Sequence, residues 1–349
     1  MIDKPFKTID EQLSILHDQR GLSVLNVEAA KKALTRYGYY EIINGYKEPF
    51  LNDPSNDDKG FRPDANFEHI FQLFILDKHI RECTLQGIEE FESTFKQAVA
   101  YSISKCISPN QQIYTDKAYY NRGKIYHQHD GTPRTIPPFN ERDKMLYNFG
   151  QLLCSNDQPY KYYREHHGNI PPWIMIKNLM LGQVIYWYKL SKPEIRLDII
   201  SRMLSMDSTM IEALDENMKI RQSFGDLLDL VLDYRNLTAH GGRVYNHRAP
   251  NHELHSSLFL LRKDILNISK TKHHTGYRKS SIGALILTLG IINNPDPKQT
   301  ISSWIDVHLA EYLKNFPQDE NMLMQAMELE DTRIPKNVHA LIENAKSDQ

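Results

Sequence analysis

One periodic run constrains the fold of this chain more than any other feature. Between Phe67 and about Lys105, Ile70, Phe74, Asp77, Arg81, Thr84, Ile88, Glu92 and Phe95 recur at steps of three or four residues, the spacing of one face of an α-helix. The run predicts a single long helix, with a bend expected at Gly87. Glu89, Glu90 and Glu92 in its second half read as a solvated face. The periodicity is helical almost everywhere else too, and no strand-rich block or internal repeat stands out. The fold class expected is all-α.

Local signals place the remaining elements. Thr8 and Glu11 form a capping-box pair ahead of Ile9, Leu13 and Leu16, and Gly21 marks the stop. A second short helix is expected from Asn26 to Tyr37, before Gly38. The aromatic stretch "YYEIINGYKEPFL" around Gly45 reads as a turn or a docking strip. Residues 107–140 break the pattern with Gly, Pro, Tyr and basic side chains, as a surface insertion would. Helix resumes near Arg142. In "IPPWIMIKNLMLGQVIYWYKL" the prolines sit where a helix starts, so an apolar helix is expected from Trp173. Beyond Pro250, about four helices are expected, punctuated by Pro295, Pro297, Pro317 and Pro335. This gives an N-terminal helical region at 1–60, a helical core at 61–250 carrying the insertion, and a C-terminal helical extension at 251–349.

Composition excludes several classes. The net charge of −2 gives no overall attraction to nucleic acid, so any such contact must come from a local basic patch. Cys83, Cys106 and Cys154 are far apart and form no C-x-x-C pair, which disfavours a zinc knuckle or a disulfide framework. "MIDKPFKTIDEQ" has no apolar signal core, and "IGALILTLGII" is too short to span a bilayer. A cytoplasmic protein with no membrane partner is expected.

The chemistry-bearing stretch is "LLDLVLDYRNLTAHGGRVYN". Leu227, Leu228, Val231 and Tyr234 give this helix an apolar stripe, and Asn236 and His240 stand at i and i+4. Fraying at Gly241-Gly242 would let Arg235 curl toward His240. Histidine moves protons near neutrality, and a helix C-terminus favours its charged form. Arginine offers a planar fork that matches a phosphate gaining charge. Together they suit metal-free RNA cleavage. Spacing alone is weak, because roughly two R-x(4–6)-H matches are expected by chance. Arg62/His69, Arg122/His127, Arg248/His255 and Arg333/His339 match as well. Only Arg235 is followed by Asn and closes a strongly amphipathic helix. On residues alone, a polar helix terminus and a catalytic site both remain open.

Two other regions suggest RNA contact. The window "RKDILNISKTKHHTGYRKSS" carries Arg262, Lys263, Lys270, Lys272, Arg278 and Lys279 against one acid, Asp264. The insertion interleaves Lys117, Arg122, Lys124 and Arg134 with Tyr119, Tyr120 and Tyr126, which suits phosphate neutralisation with base stacking. The pairs His127/His129, His166/His167 and His273/His274 have no Cys or carboxylate at ligand spacing, so no metal and no cofactor is expected. No G-x-x-x-x-G-K-[ST] or G-x-S-x-G sequence occurs.

Several blocks taken together resemble the Abi-like abortive-infection family (the AbiD/AbiF group). They are "KPFKTIDEQLSILHDQRGL", "ALTRYGYYEIINGY", "FEHIFQLFILDKHIRECTLQGIEEFE" with Asp77 and Arg81 at D-x-x-x-R spacing, "PPWIMIKNLMLGQVIYWYKL" with Gly182, and "YRNLTAHGGRVYN". They run in collinear order over about residues 4–247. That family is placed in the HEPN superfamily of helical-bundle ribonucleases, and is similar to the HEPN nuclease domains of type VI CRISPR effectors. The resemblance implies catalytic positions at Arg235, Asn236 and His240, with Arg243 and Asn246 in a supporting trailing block. It implies a toxin-type phage-defence endoribonuclease whose composite site is completed by a homodimer, and an antitoxin partner that could be a small structured RNA. A subset of such toxins carries tyrosine two residues after the histidine, as a target for nucleotide modification; here that residue is Gly242. The competing reading is a non-catalytic helical module that binds RNA or protein in a toxin–antitoxin or defence system.

Overall fold

The computed structural model describes residues 5–128 and 131–329. His129, Pro335, the Arg333/His339 match and the end of the expected C-terminal extension lie outside the described residues. Among the described residues the fold is all-α, with isolated bridges such as Ser23 to Asn66 and Tyr120 to Ser191 and no strand. No helix among them is long and apolar enough to cross a membrane.

The predicted long helix runs as Phe67–Cys106, unbroken through Gly87. Its apolar stripe is buried at Ile70, Ile80, Ile88, Phe91 and Phe95, while Glu89 and Glu90 are exposed and Glu92 pairs with Lys96 at 2.7 Å. Contacts divide the described residues into two compact units, one falling within Met1–Thr84, Leu237–His247 and Ile301–Gln349 and the other within Leu85–Asn236 and Arg248–Thr300.

In the first unit, the helix Ile9–Ser14 starts at a full capping box. The Glu11 amide donates to Thr8 Oγ1 at 3.3 Å and the Thr8 amide to Glu11 Oε2 at 2.8 Å. Each bond satisfies an amide that the helix itself leaves unpaired. Val27–Tyr37 follows, capped by Asn26. The aromatic strip around Gly45 forms a π-helical turn at Tyr40–Asn44 and a 3-10 turn at Glu48–Phe50, burying Ile42, Ile43, Tyr46 and Phe50. His69 is buried and shares Asp319 with the Tyr312 hydroxyl, at 2.7 and 2.6 Å.

The second unit packs around aromatic side chains. Phe95, Tyr188 and Phe224 meet edge-on or tilted, and Trp187 stands edge-to-face with Phe149 at 4.7 Å. The buried Trp187 indole N–H donates to Tyr120 Oη at 3.1 Å, which satisfies a group that would be costly to strand. The helix resuming near Arg142 is Glu141–Leu153, capped by Asn140. The segment expected as one helix from Trp173 is instead broken. Pro172–Met175 and Ile176–Asn178 form single turns, Leu179 and Met180 are extended, and Leu181–Leu190 begins anew. Gln183 reaches back to accept the Met180 amide at 2.8 Å, and so starts that second helix. Apolar residues on both sides of the break hide it from a periodicity reading. Beyond Pro250 the described α-helices are Lys270–His274, Ile282–Leu289, Asp296–Asn315 and Glu320–Met327, with a 3-10 turn at Pro317–Asp319.

Candidate functional site

The helix that carries the Arg-Asn pair runs Ile220–Ala239, and His240 is the first residue after it. Leu227, Leu228, Val231 and Tyr234 are fully buried, as the stripe required. Three acids on this helix are engaged: Asp226 by His255, Asp229 by Lys189 and Asp233 by His252. Arg235 is half-buried and donates from Nη1 to Asn236 Oδ1 at 3.3 Å. Both residues line a cleft of about 440 Å³ in the second unit. Its walls come from the insertion, from Glu141–Leu153, and from Leu179 to Tyr186.

The segment after the helix belongs to the first unit and is held by a clamp. Gly241 adopts φ +77°, a left-handed conformation that side chains disfavour. The Gly242 amide closes the turn onto the Leu237 carbonyl at 2.8 Å. A β-carbon on Gly242 would lie 2.3 Å from Leu237 Cδ1, so the two glycines serve different needs. Arg81 donates to the Gly241 and Gly242 carbonyls. Asp77, fully buried, accepts the Val244 amide at 3.0 Å, the Tyr245 amide at 2.6 Å and the Tyr46 hydroxyl at 2.6 Å. Burial pushes the Asp77 carboxyl upward, against the pull of those three donors and the Arg81 charge. Burial raises Tyr46 as well, reinforced by Asp77. Arg243 donates to the Gly45 carbonyl and stands 5.9 Å from the Tyr245 ring centre. Asn246 is half-buried, and its Oδ1 has no hydrogen-bond partner among the described residues.

Within this frame His240 is exposed, and no hydrogen bond or ion pair holds it among the described residues. Of the competing R-x(4–6)-H histidines, His127 is likewise exposed with no side-chain hydrogen bond or ion pair among the described residues, and two differ. His69 is buried against Asp319, and His255 is bound to Asp226. Sequence reasoning noted Asp77 and Arg81 by spacing but not their task. It also missed Tyr46, and the cleft residues Asn148, Gln183 and Tyr186. One signal was present: Asp77 is a carboxylate on the buried stripe of the long helix.

The basic window does not form one uniform surface. Lys263 and Lys270 are exposed, Arg262 pairs with Asp264, Lys272 sits 3.8 Å over the Tyr277 ring, and Lys279 pairs with Glu253. Arg278 is 1% exposed and donates to the Leu266 carbonyl at 2.6 Å, so it is a core residue that surface phosphate does not reach. In the insertion Lys117, Arg122 and Lys124 are exposed, whereas Tyr120 is buried. His166 bonds to the Tyr162 carbonyl, and His273 is buried beside Ser256 Oγ. Among the described residues no group of His, Cys, Asp and Glu is arranged to hold a metal ion. Cys83 is buried, Cys106 and Cys154 are exposed, and all three are free thiols.

No curated protein and no solved structure matches the chain. A family model described as Abi-like protein matches residues 32–246. That stretch is more than half of the chain and takes in the long helix, the cleft and the whole segment from Arg235 to Asn246, and the chain accordingly belongs to the Abi-like protein family.

Proposed function

We propose that this protein is an abortive-infection effector of the HEPN type that cleaves RNA without a metal, with Arg235, Asn236 and His240 as its catalytic residues. The observation that carries the reading is the setting of His240, directly after the helix that bears Arg235 and Asn236 and on a turn that Arg81 and Asp77 hold in place. His240 is exposed and unheld one residue beyond the helix bearing Arg235 and Asn236, while His69 and His255 are committed to carboxylates. Membership of the Abi-like family supports the defence role.

In the proposed reaction the Arg235 fork binds the scissile phosphate and stabilises charge that grows on its oxygens. The ribose 2′-oxygen attacks phosphorus in line as its proton passes to one imidazole. The bond from phosphorus to the 5′-oxygen breaks, and that oxygen takes a proton from a second imidazole. The products are a 2′,3′-cyclic phosphate and a free 5′-hydroxyl. One chain supplies one motif, so the second imidazole is assigned to the partner's His240 across a two-fold axis. Arg243 and Asn246 position the loop, and the exposed cations at Lys117, Arg122, Lys124, Lys263 and Lys270 are offered to RNA, whether substrate or antitoxin.

Expression of wild-type protein in a bacterial host is expected to arrest growth, and Arg235→Ala or His240→Ala to abolish the arrest at equal protein level. Arrest that survives both substitutions would instead support a helical module acting by binding.

A further inference from the structure

The cleft beside Arg235 holds features that the cleavage chemistry does not use. We infer that it is a nucleobase pocket, seating one unstacked base of single-stranded RNA next to the phosphate held by Arg235; the choice of RNA rests on the ribonuclease reading above.

Its volume of about 440 Å³ lies in the range of small-ligand sites, about 300–1,000 Å³. Met145, Phe149, Leu179 and Leu232 give it an apolar lining that suits the face of a heterocycle. Tyr126 and Tyr186 contribute rings for stacking, and Tyr186 is 47% exposed. Two amides supply edge recognition. Gln183 spends its oxygen on the Met180 amide, so its NH2 group is the donor it offers. Asn148 is half-buried with no side-chain hydrogen bond among the described residues, and offers both a donor and an acceptor. An apolar slot with unspent amide groups fits a base better than an aliphatic ligand.

The charges agree with a nucleotide chain. Lys144 is exposed and Arg235 half-buried in the lining, while Glu141, also in the lining, already accepts the Lys124 amide at 2.8 Å. Tyr126 also lines an adjoining concavity of about 490 Å³, together with Lys124, Ile125, His127 and Arg134. Two cations, with no acid among the described lining residues, make that concavity a track for the phosphates that leave the pocket. A base paired in an A-form helix cannot enter such a slot, which restricts the substrate to unpaired strands.

The test uses full-length His240→Ala protein and a twelve-nucleotide single-stranded oligoribonucleotide containing one 2-aminopurine. Binding is expected to quench the fluorophore. Gly182→Leu, which fills the cleft, and Asn148→Leu, which removes the free amide, are each expected to weaken binding at least tenfold and abolish quenching. Gly225→Ala, outside the cleft, is expected to leave both unchanged. Should Gly182→Leu fail to fold by circular dichroism, Asn148→Leu carries the test. Undiminished binding and quenching in the folded variants, or no binding of the oligoribonucleotide at all, overturns the inference. If wild type cleaves RNA and Gly182→Leu cleaves equally well with quenching intact, the pocket falls and the nuclease stands. If wild type cleaves nothing but quenching depends on Gly182 and Asn148, the nuclease falls and the pocket stands.

Discussion

Arg81 donates to the carbonyl oxygen of Gly241 at 3.1 Å, fixing the turn immediately after His240 from a position one helical turn beyond Asp77. Asp77 completes the hold through the amides of Val244 and Tyr245. Removing the carboxylate with Asp77→Ala strands two buried amides and the Tyr46 hydroxyl, and is expected to cost about 3–5 kcal/mol. Arg81→Ala, on a partly exposed side chain, is expected to cost about 1–3 kcal/mol. Urea denaturation checks both. An Asp77→Ala protein as stable as wild type would remove the clamp from this account.

The glycines give a second, opposed pair of outcomes. Gly241→Ala places a side chain at φ +77° and is expected to destabilise by about 1–2 kcal/mol. Gly225 lies inside the motif helix with open space where its β-carbon would be. Gly225→Ala is therefore expected to stabilise by about 0.5–1 kcal/mol. Thermal melting of the two variants should move in opposite directions.

Acid sensitivity in the second unit should centre on Asp198. Burial pushes its carboxyl upward, but hydrogen bonds from Lys105, Ser102 and Arg202 outweigh that and hold it down at about 2. A carboxyl depressed in the folded state contributes stability that is full above its unfolded value near pH 4 and is lost as pH falls toward about 2. The contribution is about 1–2 kcal/mol, less than the whole shift implies because Lys105 is half exposed. Asp198→Asn should flatten the stability profile between pH 4 and 2 relative to wild type, as read by denaturation at each pH.

Much of the fold was legible because it depends on local pattern. The stripe from Ile70 to Phe95 specified the long helix, and Thr8 with Glu11 specified a cap, since both act within one or two turns. The break at Leu179–Met180 was not legible, because Gln183 starts the new helix from within it, by accepting the Met180 amide, and the apolar residues run on without interruption. The Arg235–His240 segment could be singled out by its asparagine and glycines, and its neighbours could not. Arg81 meets Gly241 across 160 positions of sequence, and the cleft draws Tyr126, Asn148, Gln183 and Arg235 from four separate stretches. No spacing rule connects such residues. The basic window misled at Arg278 for a related reason: charge can be counted in sequence, but burial is set by what packs over it.

That contrast yields a prediction on salt dependence. If Lys263 and Lys270 each meet one phosphate, replacing either by Ala should lower the slope of log affinity against log salt by about 0.7 for single-stranded RNA. Arg278→Ala should act on folding instead, costing about 2–4 kcal/mol through its lost core contacts with no specific change in that slope. Fluorescence anisotropy across a salt series, alongside melting curves, separates the two effects.

The assignment of the second imidazole to another copy predicts dominance. Mixing wild type with an excess of His240→Ala protein, after unfolding and joint refolding, should depress cleavage below the level set by dilution. Strict proportionality to the wild-type fraction would place both proton transfers within one chain.

The most direct measurement is end-group analysis of RNA incubated with purified protein in the presence of a metal chelator. Fragments with 2′,3′-cyclic phosphate and 5′-hydroxyl ends are expected, and their loss in folded Arg235→Ala and His240→Ala proteins. Cleavage at the wild-type rate by folded His240→Ala protein, or no cleavage of any RNA by a wild-type protein that arrests growth, would contradict it.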